Sequence, residues 1–359
     1  CIRDSYKENG FKERKHAEEL KAILSADPPF KAVVEKIEKK KENKNPPLLF
    51  NLAELQNECS RLFKISPDET LKIVQELYEK KLVTYPRTDA RVLSTAVAKE
   101  IQKNIGGLRG YVHGKPFAEE ILAEGSYKNL AKTRYVNDKQ ITDHYAIIPT
   151  GQGMGALGSL HPSAAKVYET VVRRFLSIFY PPAVYQKVSI VSVIQKERLF
   201  SSFKILVSEG YLKVVQNSFA KKKEESAQEE GEQTEDTSFL EILQTIKKGS
   251  ELDIKDFQIK EGETSPPKRY TSGSMILAME NAGQLIEDEE LRAQIKGSGI
   301  GTSATRAEIL KKLVTIKYLA LNKKTQVITP TLLGEMIFDV VNASIRSLPV
   351  SYTHLTLPT

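Results

Sequence analysis

The apolar residues of this chain change their period several times, and each change marks an element. Over 52–63 and 67–81 they return every three or four residues, the spacing of a helix with one buried face. The second of these opens on Ser66, Pro67 and Glu69, a capping-box start with proline at the first helical position. Leu71, Val74, Leu77 and Tyr78 share its apolar face, and Lys80 and Lys81 close its last turn. The same period predicts helices over 12–23, 95–105, 163–180, 272–282 and 305–314. In the last of these Thr305 and Glu308 stand at capping-box spacing. The period falls to two, with β-branched residues, over 30–37, 184–194, 199–207 and 211–215, which predicts strands. The first strand has a polar continuation, 38–44, whose lysines suit either a solvated strand end or a DNA backbone. Runs 318–321 and 326–329 flank Asn322, Lys323, Lys324 and Thr325 as a hairpin. Double prolines at 46–47, 181–182 and 266–267 punctuate the chain, which leads to an α+β multidomain fold.

Composition narrows this picture modestly. The chain has 359 residues, 40% hydrophobic and 28% charged, enough for two or three domains with cores of their own. A run of about 18 apolar residues does not occur, so no membrane span is expected. The net charge of +7 permits a polyanionic partner. Cys1 and Cys59 are the only cysteines, too few for a disulfide framework or a zinc module, so a cytoplasmic setting is expected. Residues 221–238 carry almost no apolar side chain and predict a disordered acidic loop. The loops 106–114 and 151–158 read as flexible connections. The second, GQGMGALG, lacks the Lys-Ser/Thr ending of a phosphate cradle, as does GSGIGT at 297–302, so ATP use is not expected. Acidic residues 287–290 read as a solvated patch.

The stretch with the most chemistry is Tyr85-Pro86-Arg87-Thr88-Asp89, which follows a short extended run, Leu82-Val83-Thr84. Pro86 pushes Tyr85 into the extended region, and Arg87, two residues on, lies on the same side of an extended segment. A phenol attacks phosphorus when a cation steadies the developing charge, and arginine grips phosphate at two points. On this spacing alone, a half-buried strand tyrosine beside a surface arginine is the commoner reading.

The wider context decides between these. TYPRTD after a helix ending LYEKK resembles the active-site segment of type IA DNA topoisomerases, within them the topoisomerase III branch. Three further stretches match in the expected order: PPLLFNLAELQNE at 46–58, DHYAIIPT at 143–150, and PPKRYTSGSMILAMENAG with GIGTSATRAEIL within 266–310. The resemblance runs from about Pro46 to about Ala343. It implies a fragment of a toroidal enzyme: a helical domain bearing the tyrosine over 47–182, a β-rich arch over 1–46 and 183–262, and a winged-helix-like DNA-binding base over 263–350. The tail 351–359 does not continue the pattern.

The resemblance also assigns roles. Tyr85 becomes the nucleophile that forms a 5′-phosphotyrosine, and Arg87 the cation on the scissile phosphate. Asp89 lies next to that site and also suits an N-cap for the helix that follows. His144 is placed beside the scissile strand's phosphates. Thr302, Ser303 and Thr305 at a helix N-terminus, with Arg306, are expected to bind DNA phosphate, and Lys268 and Arg269 are further DNA contacts of the same kind. The magnesium of the family is held by an N-terminal Toprim domain with a catalytic glutamate, which this sequence does not display, so activity of the chain alone is not expected. Single-stranded and negatively supercoiled DNA, and a helicase, are the implied partners. The competing reading is a non-catalytic single-stranded-DNA-binding protein of the same shape. A winged-helix regulator would account for the last domain alone.

Overall fold

The computed structural model describes residues 11, 13–25, 31–141, 143–219, 242–263, 266–285 and 299–341. The acidic stretch 221–238, the patch 287–290 and the tail 351–359 lie outside the described residues. In chain order the elements are α1 (Arg14–Leu24), β1 (Ala32–Lys44), α2 (Leu52–Phe63), α3 (Pro67–Glu79), α4 (Thr95–Gly107), α5 (Lys115–Glu124), α6 (Pro162–Ser177), β2 (Ala183–Ile194), β3 (Glu197–Ser208), α7 (Leu212–Val215), β4 (Glu251–Leu252), α8 (Ser272–Glu280), α9 (Arg306–Thr315), β5 (Leu319–Leu321), β6 (Ile328–Pro330) and α10 (Leu332–Val340). The mixture of helix and sheet is the one the changing apolar period predicts. Two compact units result, one from Cys1–Pro46, Pro181–Lys213 and Ala220–Pro266, the other from Pro47–Tyr180, Val214–Phe219 and Pro267–Thr359.

The first unit is built on an antiparallel sheet of strand order β3-β2-β1-β4. The polar continuation belongs to β1, which pairs with β2 as far as Lys44 opposite Ala183. One face buries Val34, Val188, Ile190 and Ile205. Within the continuation Glu38 pairs with Lys40, and with Lys36 just before it, while Glu42 pairs with Lys204 of β3. The run 211–215, predicted as a strand, is instead helical from Leu212. Gly210 takes a left-handed φ of 49°, with a side chain at this point excluded by the carbonyls of Pro181 and Pro182. That turn ends the strand path. Tyr211 and Val214 are then buried at a spacing of three, which a helical turn satisfies.

The second unit is mainly helical. Asn51 caps α2, accepting from the Glu54 amide, and α2 buries Leu52, Leu55 and Cys59 along one face. Ser66 caps α3 and Pro67 opens it, as the sequence predicts. The buried face of α3 is Thr70, Ile73, Val74 and Leu77, rotated from the predicted one, so that Tyr78 is exposed rather than packed. Helix α6 buries Val167, Val171, Phe175 and Leu176. It also buries an ion pair, Glu169 with Arg173 at 2.6 Å, which Ser218 completes by donating to Glu169. Helices α8 and α9 and the β5–β6 hairpin follow one another, and Ile276, Met279, Leu310 and Ile328 form an apolar cluster with Ala53 of α2. Asn322 turns the hairpin by accepting from the amides of Lys324 and Thr325, an Asx turn.

Candidate active site around Tyr85

Two of the motifs noted above meet by backbone pairing. Leu82 and Val83 are fully buried and fix the segment that carries Tyr85. The Thr84 amide donates to the Ile148 carbonyl at 2.9 Å, and the Thr150 amide donates to the Leu82 carbonyl at 3.0 Å. The Thr84 hydroxyl bridges the same two strands, donating to the Ala146 carbonyl and accepting from the Ile148 amide. Four residues on, the buried Thr88 donates its hydroxyl to the His144 carbonyl at 3.0 Å. The 82–88 and 144–150 segments are therefore locked side by side. With both termini of the Tyr85-Pro86-Arg87 step tied down, little backbone freedom remains there.

This lock sets the ring geometry. The His144 ring lies 4.3 Å from the Tyr85 ring, tilted at 41°. On another side Tyr78, from the end of α3, meets Tyr85 edge-on at 5.5 Å. Tyr85 is half-buried, whereas Arg87 and His144 are exposed. Among the described residues the Arg87 guanidinium has neither a hydrogen-bond nor an ion-pair partner. A cleft of about 480 Å3 opens beside Tyr85, lined by Tyr78, Lys81, Tyr145, Thr150 and Gln152 among others.

Behind this surface lies an ionic network. Arg306, only 5% exposed, donates from Nη1 to Asp89 Oδ1 at 2.9 Å and from Nε to the Ile300 carbonyl. The same Nη1 lies 3.8 Å from Glu280 Oε1. Asn51 Nδ2 donates to Glu280 Oε1 at 2.7 Å and to the Asp89 carbonyl at 3.1 Å. Arg91 completes the cluster by pairing with Glu54 and donating to the Leu49 carbonyl. Burial holds the Glu280 carboxyl above the usual carboxylate range, and the nearby Asp89 and Glu54 charges add to this against the pull of Arg306 and Asn51.

The predicted residues thus divide. Tyr85, Arg87 and His144 share one surface. Asp89 and Arg306 are joined to each other, with the Arg306 guanidinium turned inward against carboxylates. Asp89 does not cap a helix: α4 starts later, capped by the Ser94 side chain. Nor do Thr305 and Glu308 form a capping box. Thr305 sits in the helical region with no cap bond, and its hydroxyl instead accepts from the Thr302 amide, closing the turn that leads into α9. Thr302 and Thr305 are exposed and Ser303 is partly buried in that turn; Lys268 and Arg269 are exposed ahead of α8. Asn51, Glu280 and Tyr78 went unassigned by sequence reasoning. Asn51 and Glu280 both stand inside quoted motifs, in NLAEL and AMENAG, and that membership was the available signal.

With this geometry in hand, comparison with known proteins gives a consistent answer. The family model described as DNA topoisomerase matches residues 2–353, and the chain belongs to that family. It is similar to DNA topoisomerase 3 of Bacillus licheniformis, 32% identical over 88% of this chain and 41% of the relative. It is likewise similar to DNA topoisomerase 3 of Shouchella clausii, 33% identical over 88% of this chain and 41% of the relative. Among solved structures, full-length topoisomerase I from Thermotoga maritima superposes with a TM-score of 0.63 at 23% identity, over 97% of this chain and 50% of that one. That likeness establishes the fold. The chain spans less than half the length of the curated relatives it matches. The type IA, topoisomerase III-like resemblance drawn from the motifs agrees with these matches.

Proposed function

We propose that this chain carries the strand-cleaving surface of an ATP-independent type IA DNA topoisomerase, with Tyr85 as nucleophile. The observation that carries the reading is the pairing of the 82–88 and 144–150 segments, which sets the Tyr85 and His144 rings 4.3 Å apart next to Arg87, unpaired among the described residues. The family match and this free arginine favour the enzyme over the binding-only alternative.

In this reading Tyr85 Oη attacks the phosphorus of one DNA strand and the P–O3′ bond breaks. The 5′ phosphate stays esterified to the tyrosine, the phenolic proton passes to solvent, and the departing 3′ oxygen takes a proton from an acid. The ester keeps the bond energy, so resealing runs the same steps backwards without a nucleotide. Arg87 faces the charge that builds on the phosphate, and His144 contacts a neighbouring phosphate. Asp89 and Arg306 hold the segment from within, while Thr302, Ser303, Lys268 and Arg269 offer further phosphate contacts. Thr305 contributes through the turn it closes.

The magnesium of the family has no matching ligand set here. Among the described residues no group of three or more His, Cys, Asp or Glu could hold a metal ion, and Asp89 and Glu280 are occupied by Arg306 and Asn51. The acid that protonates the departing 3′ oxygen, and the metal, would be supplied by a Toprim domain. The division of labour follows the family: 47–182 carries the tyrosine, 1–46 with 183–262 forms the arch, and 263–350 the winged-helix-like base. Single-stranded and negatively supercoiled DNA are the substrates, in the cytoplasm, with a helicase as partner. No helix among the described residues is long and apolar enough to cross a membrane.

Fluorescence anisotropy on a labelled single strand tests the reading. Binding should tolerate changes of sequence and fall steeply with salt, because the contacts address phosphate. Absence of binding at low salt would contradict it.

A further inference from the structure

The glycine-rich loop 151–158 finds no use in phosphate cradling, yet two of its glycines, Gly151 and Gly153, are needed. Gly153 has a φ of 71°, and a side chain there would fall 2.3 Å from the Lys80 carbonyl. The loop therefore lies directly on the turn that follows α3, where Lys81 is itself left-handed at φ 59°. A non-glycine residue in that region is uncommon and marks a position fixed by its surroundings. The Thr150 hydroxyl holds the turn by donating to the Lys81 carbonyl. Loop and turn together wall the 480 Å3 cleft beside Tyr85, a volume within the range of small-ligand sites.

The lining of this cleft is specific. Tyr78 is 39% exposed at the end of α3, a large aromatic side chain open to solvent next to the proposed nucleophile. Tyr145, half-buried, lines the same cleft. The Lys81 ammonium and the Gln152 amide are exposed, and among the described residues neither side chain has a partner. Glu79 also lines the cleft and accepts from Gln75 Nε2. The aromatic side chains, the cation and the amide that remain suit an unstacked base with its phosphate: every base has a π-face to stack, and the amide can meet its edge.

We propose that this cleft binds one nucleobase of the DNA strand, stacked on Tyr78, with Lys81 on its phosphate. The base belongs to the nucleotide whose 5′ phosphate Tyr85 attacks, because that nucleotide is the one tethered at the mouth of the cleft. The inference rests on the proposed chemistry of Tyr85. It adds that the strand is gripped through a base and not through phosphates alone.

Photo-crosslinking tests it. A 12-nucleotide oligothymidylate carrying 5-iodouracil is bound to the protein and irradiated, and the adducts are mapped by mass spectrometry; affinities are measured alongside. The crosslink should fall on Tyr78 or Tyr145. Tyr78→Ala should weaken binding about ten-fold, the loss of one stacked base, and Tyr78→Phe should stay within about two-fold because the ring is kept. Free thymidine monophosphate should compete poorly. Crosslinks confined to other residues, or unchanged affinity in Tyr78→Ala while wild-type binding is strong, would overturn this inference and leave the family function standing. Failure of the wild type to bind any single strand would overturn both. Tyr78 is exposed, so an unchanged melting temperature in Tyr78→Ala separates lost binding from lost fold; a drop in affinity matched by a drop in melting temperature, with Tyr78→Phe equally impaired, would contradict the stacking role.

Discussion

Arg306 and Asp89, 217 residues apart, meet at 2.9 Å, and this one contact ties the start of α9 to the segment that bears Tyr85. The arginine end is 6% exposed and the aspartate end 55%, so the pair straddles the boundary between interior and solvent. Arg306 also lies near Glu280, so removing it strands that buried carboxyl, while Asp89 stays solvated. Arg306→Ala should therefore destabilise the protein by about 2 kcal/mol, less than for a fully buried pair because Asp89 stays solvated. Denaturant unfolding checks this, and Arg306→Ala combined with Glu280→Gln should recover part of the loss. A change under about 0.5 kcal/mol would mean that the network contributes little to the fold.

Glu280 gives a pH signature of opposite sign to most carboxylates. Its folded pKa is raised by burial first. The folded state then holds its proton more tightly than the unfolded state. Its contribution is full below the ordinary carboxylate pKa of about 4.3 and is lost as pH rises through the folded value. Glu280→Gln removes this dependence and keeps an oxygen to accept from Asn51. The melting temperature of the wild type minus that of the variant should fall as pH rises above the ordinary carboxylate pKa of about 4.3. A flat or rising difference would contradict the assignment.

Arg87→Lys should be far from neutral in the strand-cleaving enzyme. Lysine keeps the charge but loses the planar two-point grip. The cleavage rate should fall roughly ten- to a thousand-fold, as when one transition-state donor is lost, with binding of the single strand changed far less. Arg87 has no internal partner among the described residues, so stability should hold. A wild-type rate in the lysine variant would remove Arg87 from the scissile phosphate.

Much of this was legible in the sequence for local reasons. Ser66, Pro67 and the three- and four-residue apolar period mark α2 and α3 because caps and burial act within a few residues. The hairpin at Asn322 was legible because an Asx turn is a local bond. What failed depended on neighbours distant in sequence. Tyr78 has a helical apolar spacing, but the burial of Ile73 turned α3 and left Tyr78 open beside Tyr85. The 211–215 run has strand composition, but the carbonyls of Pro181 and Pro182 force the turn at Gly210. Arg306 reads as a surface cation at a helix start. Its partners, Asp89 and Glu280, lie on other segments, and no spacing rule links them. The motifs located the site, and pairing between 82–88 and 144–150 supplied the geometry that motifs do not contain.

The central claim is that Tyr85 forms the covalent bond to DNA, and its most direct test is to locate that bond. The full-length enzyme bearing this sequence, with magnesium, is incubated with a single strand, denatured rapidly, digested with protease and nuclease, and the nucleotide-bearing peptide is sequenced by mass spectrometry. The account predicts a phosphodiester on Tyr85, and no adduct from Tyr85→Phe despite strand affinity within about two-fold of wild type, since only the phenolic oxygen is lost. An adduct on any other residue, or one that persists in Tyr85→Phe, would contradict it.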